Sequence, residues 1–241
     1  MRLQTPVLPR RKEGFTLVEL AIVLVIVALL TSGLLLGVSA QRNAAENVDA
    51  QRQLENIRET LIGFALTRGR LPCPAISNLA SSDANAGLEN CAQPHGVLPW
   101  VTLGLPELDP WGRRFTYFAS SKFTAALPPG GALASFTLST GDPAASPPDN
   151  AGTANIKASG SSSGNVASDL PAVVVSHGSR GAGAYLPSGV QLPGVVGDEA
   201  ENADADLTFI SRTQDGSFDD LVTWVVPSIL KSKMVAAGRL P

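Results

Sequence analysis

The chain has 241 residues, 44% of them hydrophobic and 16% charged, with 18 basic against 21 acidic side chains and a net charge of −3. That length holds one domain of ordinary size plus an additional element. The sequence has no basic block that could neutralise a run of phosphates, which argues against nucleic acid as a partner.

The leader segment 1–14 carries Arg2, Arg10, Arg11 and Lys12 against one acid, Glu13. Beyond it Leu20–Val38 is free of charge, and as a helix it spans about 28 Å, the hydrocarbon thickness of a bilayer. The positive flank holds the N-terminus in the cytoplasm and sends the bulk of the chain outward. A secretory signal would have a shorter apolar core followed by a small-residue cleavage site. Here the apolar run is longer, and the residues leading into it read Lys12-Glu13-Gly14-Phe15-Thr16-Leu17-Val18-Glu19-Leu20.

This segment resembles the class III signal of type IV prepilins and type II secretion pseudopilins, and the likeness covers the chain about as far as Leu30. The resemblance implies that prepilin peptidase cuts between Gly14 and Phe15, removes the basic leader 1–14, and methylates the new amine on Phe15. It also implies a single-pass inner-membrane helix over 15–40, a periplasmic head, and entry into a periplasmic or extracellular filament of other pilin or pseudopilin subunits. A carboxylate at Glu19, inside an apolar helix, costs several kcal/mol unless something pairs with it. By the resemblance its partner in assembly is the N-terminal amine of a neighbouring subunit. The other reading is that it snorkels to the headgroups, one turn from the helix start. Gly33 and Gly37 make a G-x-x-x-G spacing that allows close helix packing, with local helix bending as the alternative.

After Ala40 the pattern turns amphipathic. Val48, Leu54, Ile57, Leu61, Ile62 and Ala65 fall near a 3.5-residue spacing among charged neighbours, so the helix should continue over 41–69 with one apolar stripe. Arg68-Gly69-Arg70-Leu71-Pro72 supplies a glycine past the last turn, basic residues at the negative dipole end, and a proline beyond. Cys73 and Cys91 are the two cysteines, and in an exported chain a disulfide is expected. The loop it would close runs over 74–90, and closing it is worth roughly 3 kcal/mol in the chain-entropy account. Two buried free thiols are the alternative.

The head, 70–241, reads as strands at Phe115–Ala119, Ser135–Thr140, Ala172–Ser176, Leu207–Ser211 and Leu221–Val226, from β-branched or aromatic content between turn residues. These predict an antiparallel sheet laid over the helix stripe, an α+β fold of pilin-like form. The Gly/Ser/Pro-rich stretch 141–168 reads as an exposed loop. A last helix is expected over Pro227–Ala237, with proline at its start and Gly238 after its end.

Two further patches resemble the pseudopilins. Asp109-Pro110-Trp111-Gly112, within Leu105–Tyr117, is similar to the segment that precedes a strand in major pseudopilins, and Asp215–Trp224 is similar to their acidic C-terminal turn and strand. That family holds calcium in its C-terminal loops, so the resemblance implies Asp215, Asp219 and Asp220 as calcium ligands, an ordinary solvated turn being the alternative. The chain departs from the family in its insertion at 141–168 and its tail Pro227–Pro241.

No catalytic residue is expected, and no enzyme. His95 and His177 are the only histidines, and neither stands in a triad or metal-binding spacing. Gly160-Ser161-Ser162-Ser163-Gly164 matches G-x-S-x-G in form but lies in low-complexity sequence, and Ser176-His177-Gly178-Ser179 reads as a turn leaving a strand. Three readings follow: a minor structural subunit of a type IV pilus-like filament, a pseudopilin of type II secretion acting in protein transport, or a tip subunit whose loop 141–168 contacts a surface.

Overall fold

The computed structural model describes residues 14–127, 130, 132–138 and 154–240, with the side chains of 32–40 excepted. Its elements in chain order are α1 (Leu17–Arg68), β1 (His95–Val97), α2 (Trp100–Leu103), β2 (Thr116–Ala119), α3 (Ser121–Thr124), β3 (Ala154–Lys157), β4 (Asn165–Leu170), β5 (Ala172–Ser176), α4 (Asp198–Glu201), β6 (Thr208–Ile210), β7 (Leu221–Val225) and α5 (Pro227–Ala236). They divide into two compact units, residues 1–44 and 45–241.

In the first unit α1 leaves its large apolar side chains from Leu17 to Leu30 exposed. Among the described residues no helix is long and apolar enough to cross a membrane. The apolar run Leu20–Val38 enters the stretch 32–40, whose side chains lie outside the described residues.

In the second unit α1 buries Ala50, Leu54, Ile57, Leu61, Ile62 and Ala65. The expected stripe is displaced at its start: Val48 is 47% exposed and Ala50 takes its place. Two residues at about 100° each put Val48 roughly 200° around the helix from Ala50, on the far face. The helix stops at Gly69, which has φ 74° and donates its N–H to Ala65 O at 2.8 Å. A Cβ there would lie 2.2 Å from Leu133 O, so both the dihedral and the space require glycine.

The stripe packs on a four-stranded antiparallel sheet of order β1-β2-β5-β7. Strand periodicity sends Tyr117, Ala119, Ala172 and Val174 into the core beneath α1, and Phe118, Val173 and Val175 to the opposite face. A second sheet of order β4-β3-β6 covers that face with Ile156, Leu170 and Phe209. It is mixed, with β3 antiparallel to β4 and parallel to β6. The fold is therefore α+β as expected, with an additional sheet.

Several strand boundaries differ from the sequence reading. Strand β2 starts one residue late, β6 is trimmed to Thr208–Ile210, and β7 ends at Val225, whereas β5 matches. Residues 135–138 of the expected strand Ser135–Thr140 are not strand; Ser135 N donates to Gly69 O at 2.9 Å, and Phe136 packs on Phe123. The far part of the expected loop 141–168 forms β3 and the start of β4, while 139–153 lies outside the described residues. Ala154, Ile156 and Leu170 suffice as an apolar face because Val173, Val175 and Phe209 supply the rest of that core.

The tail closes on α1. Helix α5 has Pro227 in its first turn and ends at Gly238, φ 69°, with Leu230 and Met234 buried in the core beneath α1. Arg239 then donates from Nε to Leu66 O at 2.8 Å and from Nη2 to Thr67 O at 2.7 Å, satisfying carbonyls that the end of α1 leaves unpaired.

The two glycines near this end should respond oppositely to alanine. Gly63 lies inside α1, and a Cβ there would meet nothing within 4 Å. Gly63→Ala should therefore stabilise by about 1 kcal/mol in urea unfolding, by helix propensity alone. Gly69→Ala should destabilise by more than about 1 kcal/mol, because a non-glycine residue must there adopt a left-handed conformation against a carbonyl.

Candidate functional site

The N-terminal segment is organised around Thr16 and Glu19. Glu19 Oε2 accepts from Thr16 N at 3.0 Å and from Thr16 Oγ1 at 2.9 Å, while Glu19 N donates to Thr16 Oγ1 at 3.2 Å. This is a capping box, whose sequence signal is Thr16-x-x-Glu19. It places the carboxylate at the positive end of α1, against the residue next to Phe15. Phe15 is 84% exposed, and the space around Gly14 is open. Gly33 and Gly37 fall at 32–40, where α1 continues but side chains lie outside the described residues.

At the helix exit Cys73 and Cys91 form a disulfide, with Cα atoms 5.0 Å apart. Arg70 pairs with Glu89 through two hydrogen bonds of 2.9 and 2.8 Å, and Cys73 N donates to Glu89 Oε2 at 3.1 Å. The Arg70 guanidinium holds the Glu89 carboxyl below its ordinary range.

The Asp109-Pro110-Trp111-Gly112 segment is a turn wound on a buried carboxylate. Asp109 Oδ1 accepts from Trp111 N at 3.0 Å and Arg113 N at 2.9 Å, and Oδ2 accepts from Ser176 Oγ at 2.8 Å. Burial pushes the Asp109 carboxyl up. Next to the turn, the fully buried Arg114 pairs with Glu107 at 2.8 Å, donates to Ser77 O and Leu79 O, and stacks over Trp100 at 4.7 Å. These contacts bind 77–81 and the strand start together.

A second polar line runs from Thr116 through His177 to Asp220. Thr116 Oγ1 lies 2.7 Å from His177 Nε2, but His177 Nδ1 stands 3.7 Å from Asp220 Oδ1, beyond hydrogen-bond reach. Asn202 completes it, donating to Asp220 Oδ2 at 2.8 Å and accepting from Ile210 N at 2.8 Å. The order resembles a hydroxyl, imidazole and carboxylate relay. Burial lowers His177 to about 4 and raises Asp220 to about 8, so both are neutral at pH 7. An imidazole this weakly basic, its Nδ1 without a hydrogen-bond partner, is a poor general base at neutral pH. The line is a buried polar spine joining β2, the end of β5, β6 and β7. The G-x-S-x-G match at Gly160–Gly164 lies in the turn between β3 and β4, with no helix after it.

The acidic C-terminal turn does not gather Asp215, Asp219 and Asp220 into one set. The carboxylates that converge, with oxygens within 4.8 Å of one another, are Glu199, Asp219 and Asp220. Asp215 instead pairs with Arg212, and its Oδ1 accepts from Ser217 N and Oγ at 2.7 Å each. Glu199 comes from α4, 20 residues before Asp219, and no local spacing in the sequence signals it.

Residues 9–35 match the family model of the prokaryotic N-terminal methylation motif. That motif is the prepilin-type cleavage and methylation signal of type IV pilins and pseudopilins, and it supports a subunit of that general class, structural proteins that are typically not enzymes. It implies processing by prepilin peptidase, membrane anchoring, and assembly with other pilin subunits. No curated protein and no solved structure matches the chain.

The polar spine sets a pH dependence. With its folded pKa raised from 3.8 to about 8, Asp220 contributes stability that is full below pH 3.8 and lost as pH rises through 8. With its folded pKa lowered from 6.5 to about 4, His177 contributes stability that is full above pH 6.5 and lost as pH falls through 4. Between pH 6.5 and 8 only Asp220 of the pair changes stability. Asp220→Asn should therefore remove a slope of up to about 1.4 kcal/mol per pH unit in that window. Urea unfolding of both proteins at its two ends checks this.

Proposed function

We propose that the chain is a minor structural subunit of a type IV pilus-like filament, made with the basic leader 1–14 and cut between Gly14 and Phe15 by prepilin peptidase. Residues 15–40 anchor it in the inner membrane, with a cytoplasmic N-terminus and a periplasmic head, until it enters the filament. The observation that carries this reading is the methylation motif at 9–35, set on the N-terminus of a helix whose residues from Ala50 onward build the head's core. The uncharged run Leu20–Val38 supports the anchor. The head's second sheet and C-terminal tail support a specialised rather than a bulk subunit.

Glu19 is the residue through which assembly works. In the single chain its carboxylate is held by Thr16. Cleavage at Gly14 exposes an amine on Phe15, and the proposed assembly step exchanges the capping contact for the amine of an adjacent subunit. The exchange matches an anion to a cation in a medium where either alone is costly. A pseudopilin of type II secretion is the second reading, and the Asp109-centred turn, with its Asp-Pro-Trp-Gly sequence, favours it.

Two measurements test the proposal. Loss of the leader 1–14 removes Arg2, Arg10, Arg11, Lys12 and Glu13 and leaves the mature chain Phe15–Pro241. Intact mass of filament material should show that chain with one methyl group on Phe15; a retained Met1 and an unmodified amine would refute it. Glu19→Ala should insert normally in the membrane but be excluded from filaments, since removing one member of a buried pair costs on the order of 3 to 5 kcal/mol. Thr16→Val, which removes the capping hydroxyl and keeps the carboxylate, should still be incorporated. Co-purification with filaments in cells that also make the wild-type partners reads both variants.

A further inference from the structure

We infer that Arg180 supplies, inside this head, the positive charge that a bound calcium ion supplies in the pseudopilin loops the acidic turn resembles, so that the C-terminal region folds without a divalent cation. Glu199, Asp219 and Asp220 bring carboxyl oxygens within 4.8 Å of one another, and with Asp220 neutral the charge left to balance is that of Glu199 and Asp219. The cation is already there. Arg180 Nη2 bonds Glu199 Oε1, its Nε lies 3.3 Å from Asp219 Oδ1, and its Nη1 donates to Gly216 O at 2.6 Å.

Further donors hold the same two carboxylates. Arg180 N and Ser179 Oγ donate to Asp219 Oδ2 at 2.8 and 2.9 Å, and Asp219 N donates to Glu199 Oε1 at 2.9 Å. Asp220 is engaged by Asn202 Nδ2 at 2.8 Å. Asp215, the remaining expected ligand, is held with Asp198 by Arg212, whose guanidinium also stacks over Phe218 at 4.6 Å. Two arginines thus pair with four carboxylates, two each.

This donor set does not fit calcium. The ion takes six to eight oxygens, roughly 2.3 to 2.6 Å away, with lone pairs free to face it. Here Glu199 Oε1 and Asp219 Oδ2 each already accept two hydrogen bonds. Asp219 Oδ1, which accepts no hydrogen bond, faces the Arg180 guanidinium with Nε at 3.3 Å. A planar, permanently charged group with several donors can bridge two carboxylates and a carbonyl at once, as a metal would.

The test uses full-length protein in detergent, melted with tryptophan fluorescence as the probe, in calcium chloride and in EGTA. Asp204→Asn is included in every protein, so that ion uptake at the separate Glu201, Asp204 and Asp206 group does not contribute. The protein with Arg180 should melt within about 1 °C in the two conditions, since an ion that does not bind the native state does not stabilise it. Arg180→Gln should melt roughly 3 to 8 °C lower in EGTA and recover part of the loss in calcium, because its carboxylates then lack a cation. Arg180→Lys should melt between the two in EGTA. A melt with Arg180 present that EGTA lowers by several degrees overturns the inference, as does an Arg180→Gln protein that calcium does not stabilise. If Arg180→Gln fails to fold, the comparison with Arg180 present still decides it. The readout does not involve filament assembly, so it stands apart from the proposed function.

Discussion

Strand β5 is paired on both edges and buried on both faces, and the head is arranged around that double burial. Ala172 and Val174 meet the stripe of α1, while Val173 and Val175 meet the second sheet. A strand enclosed in this way must be apolar at every position, as parallel-sheet strands usually are, although here both its neighbours run antiparallel. Its polar residues are therefore pushed to its end, and the next residues carry much of the head's polar chemistry. Ser176 clamps Asp109, His177 carries the buried spine, and Arg180 bridges Glu199 and Asp219. One buried strand thereby sets the registry of three hydrogen-bonded systems that would otherwise be independent.

What the sequence made legible follows from where physical signal is local. Val173-Val174-Val175 between a proline and a Ser-His-Gly turn reads as a buried strand because nothing else suits it, and β5 matches the expectation. The end of α1 was equally readable, because Gly69 serves a position that only glycine fits. Strands β3 and β4 were hidden in Ser/Gly-rich sequence because few apolar residues, Ala154, Ile156, Ala167 and Leu170, face their core; their stability comes from partners far along the chain. Strand β1 is only three residues long, too short for a period to show. Val48 misled because spacing counted loosely tolerates a residue that helical geometry sends to the opposite face.

The candidate sites divide in the same way. The N-terminal signal is a run of adjacent residues, so sequence alone revealed it, and the structure added the hydrogen bonds that tie Glu19 to Thr16. The acidic turn was visible as Asp215, Asp219 and Asp220, but its charge balance was not. Glu199, Arg180 and Asp198 belong to other segments, and only folding shows which carboxylate meets which arginine. A cluster of acids seen without its counter-ions reads as a metal site. The same cluster seen with them reads as an internal salt network.

The contact of Arg239 with the carbonyls of Leu66 and Thr67 joins positions 173 and 172 residues apart. Chains are made from the N-terminus, so α1 is present long before the residue that finishes its last turn. Contacts of such separation form late, because the loop between them must be closed first. Until this one forms, the last carbonyls of α1 are left to water, and the Arg239 contact turns the end of the helix into a fixed joint. A head that lacked Arg239 would keep most of its core and leave the last carbonyls of α1 without that partner.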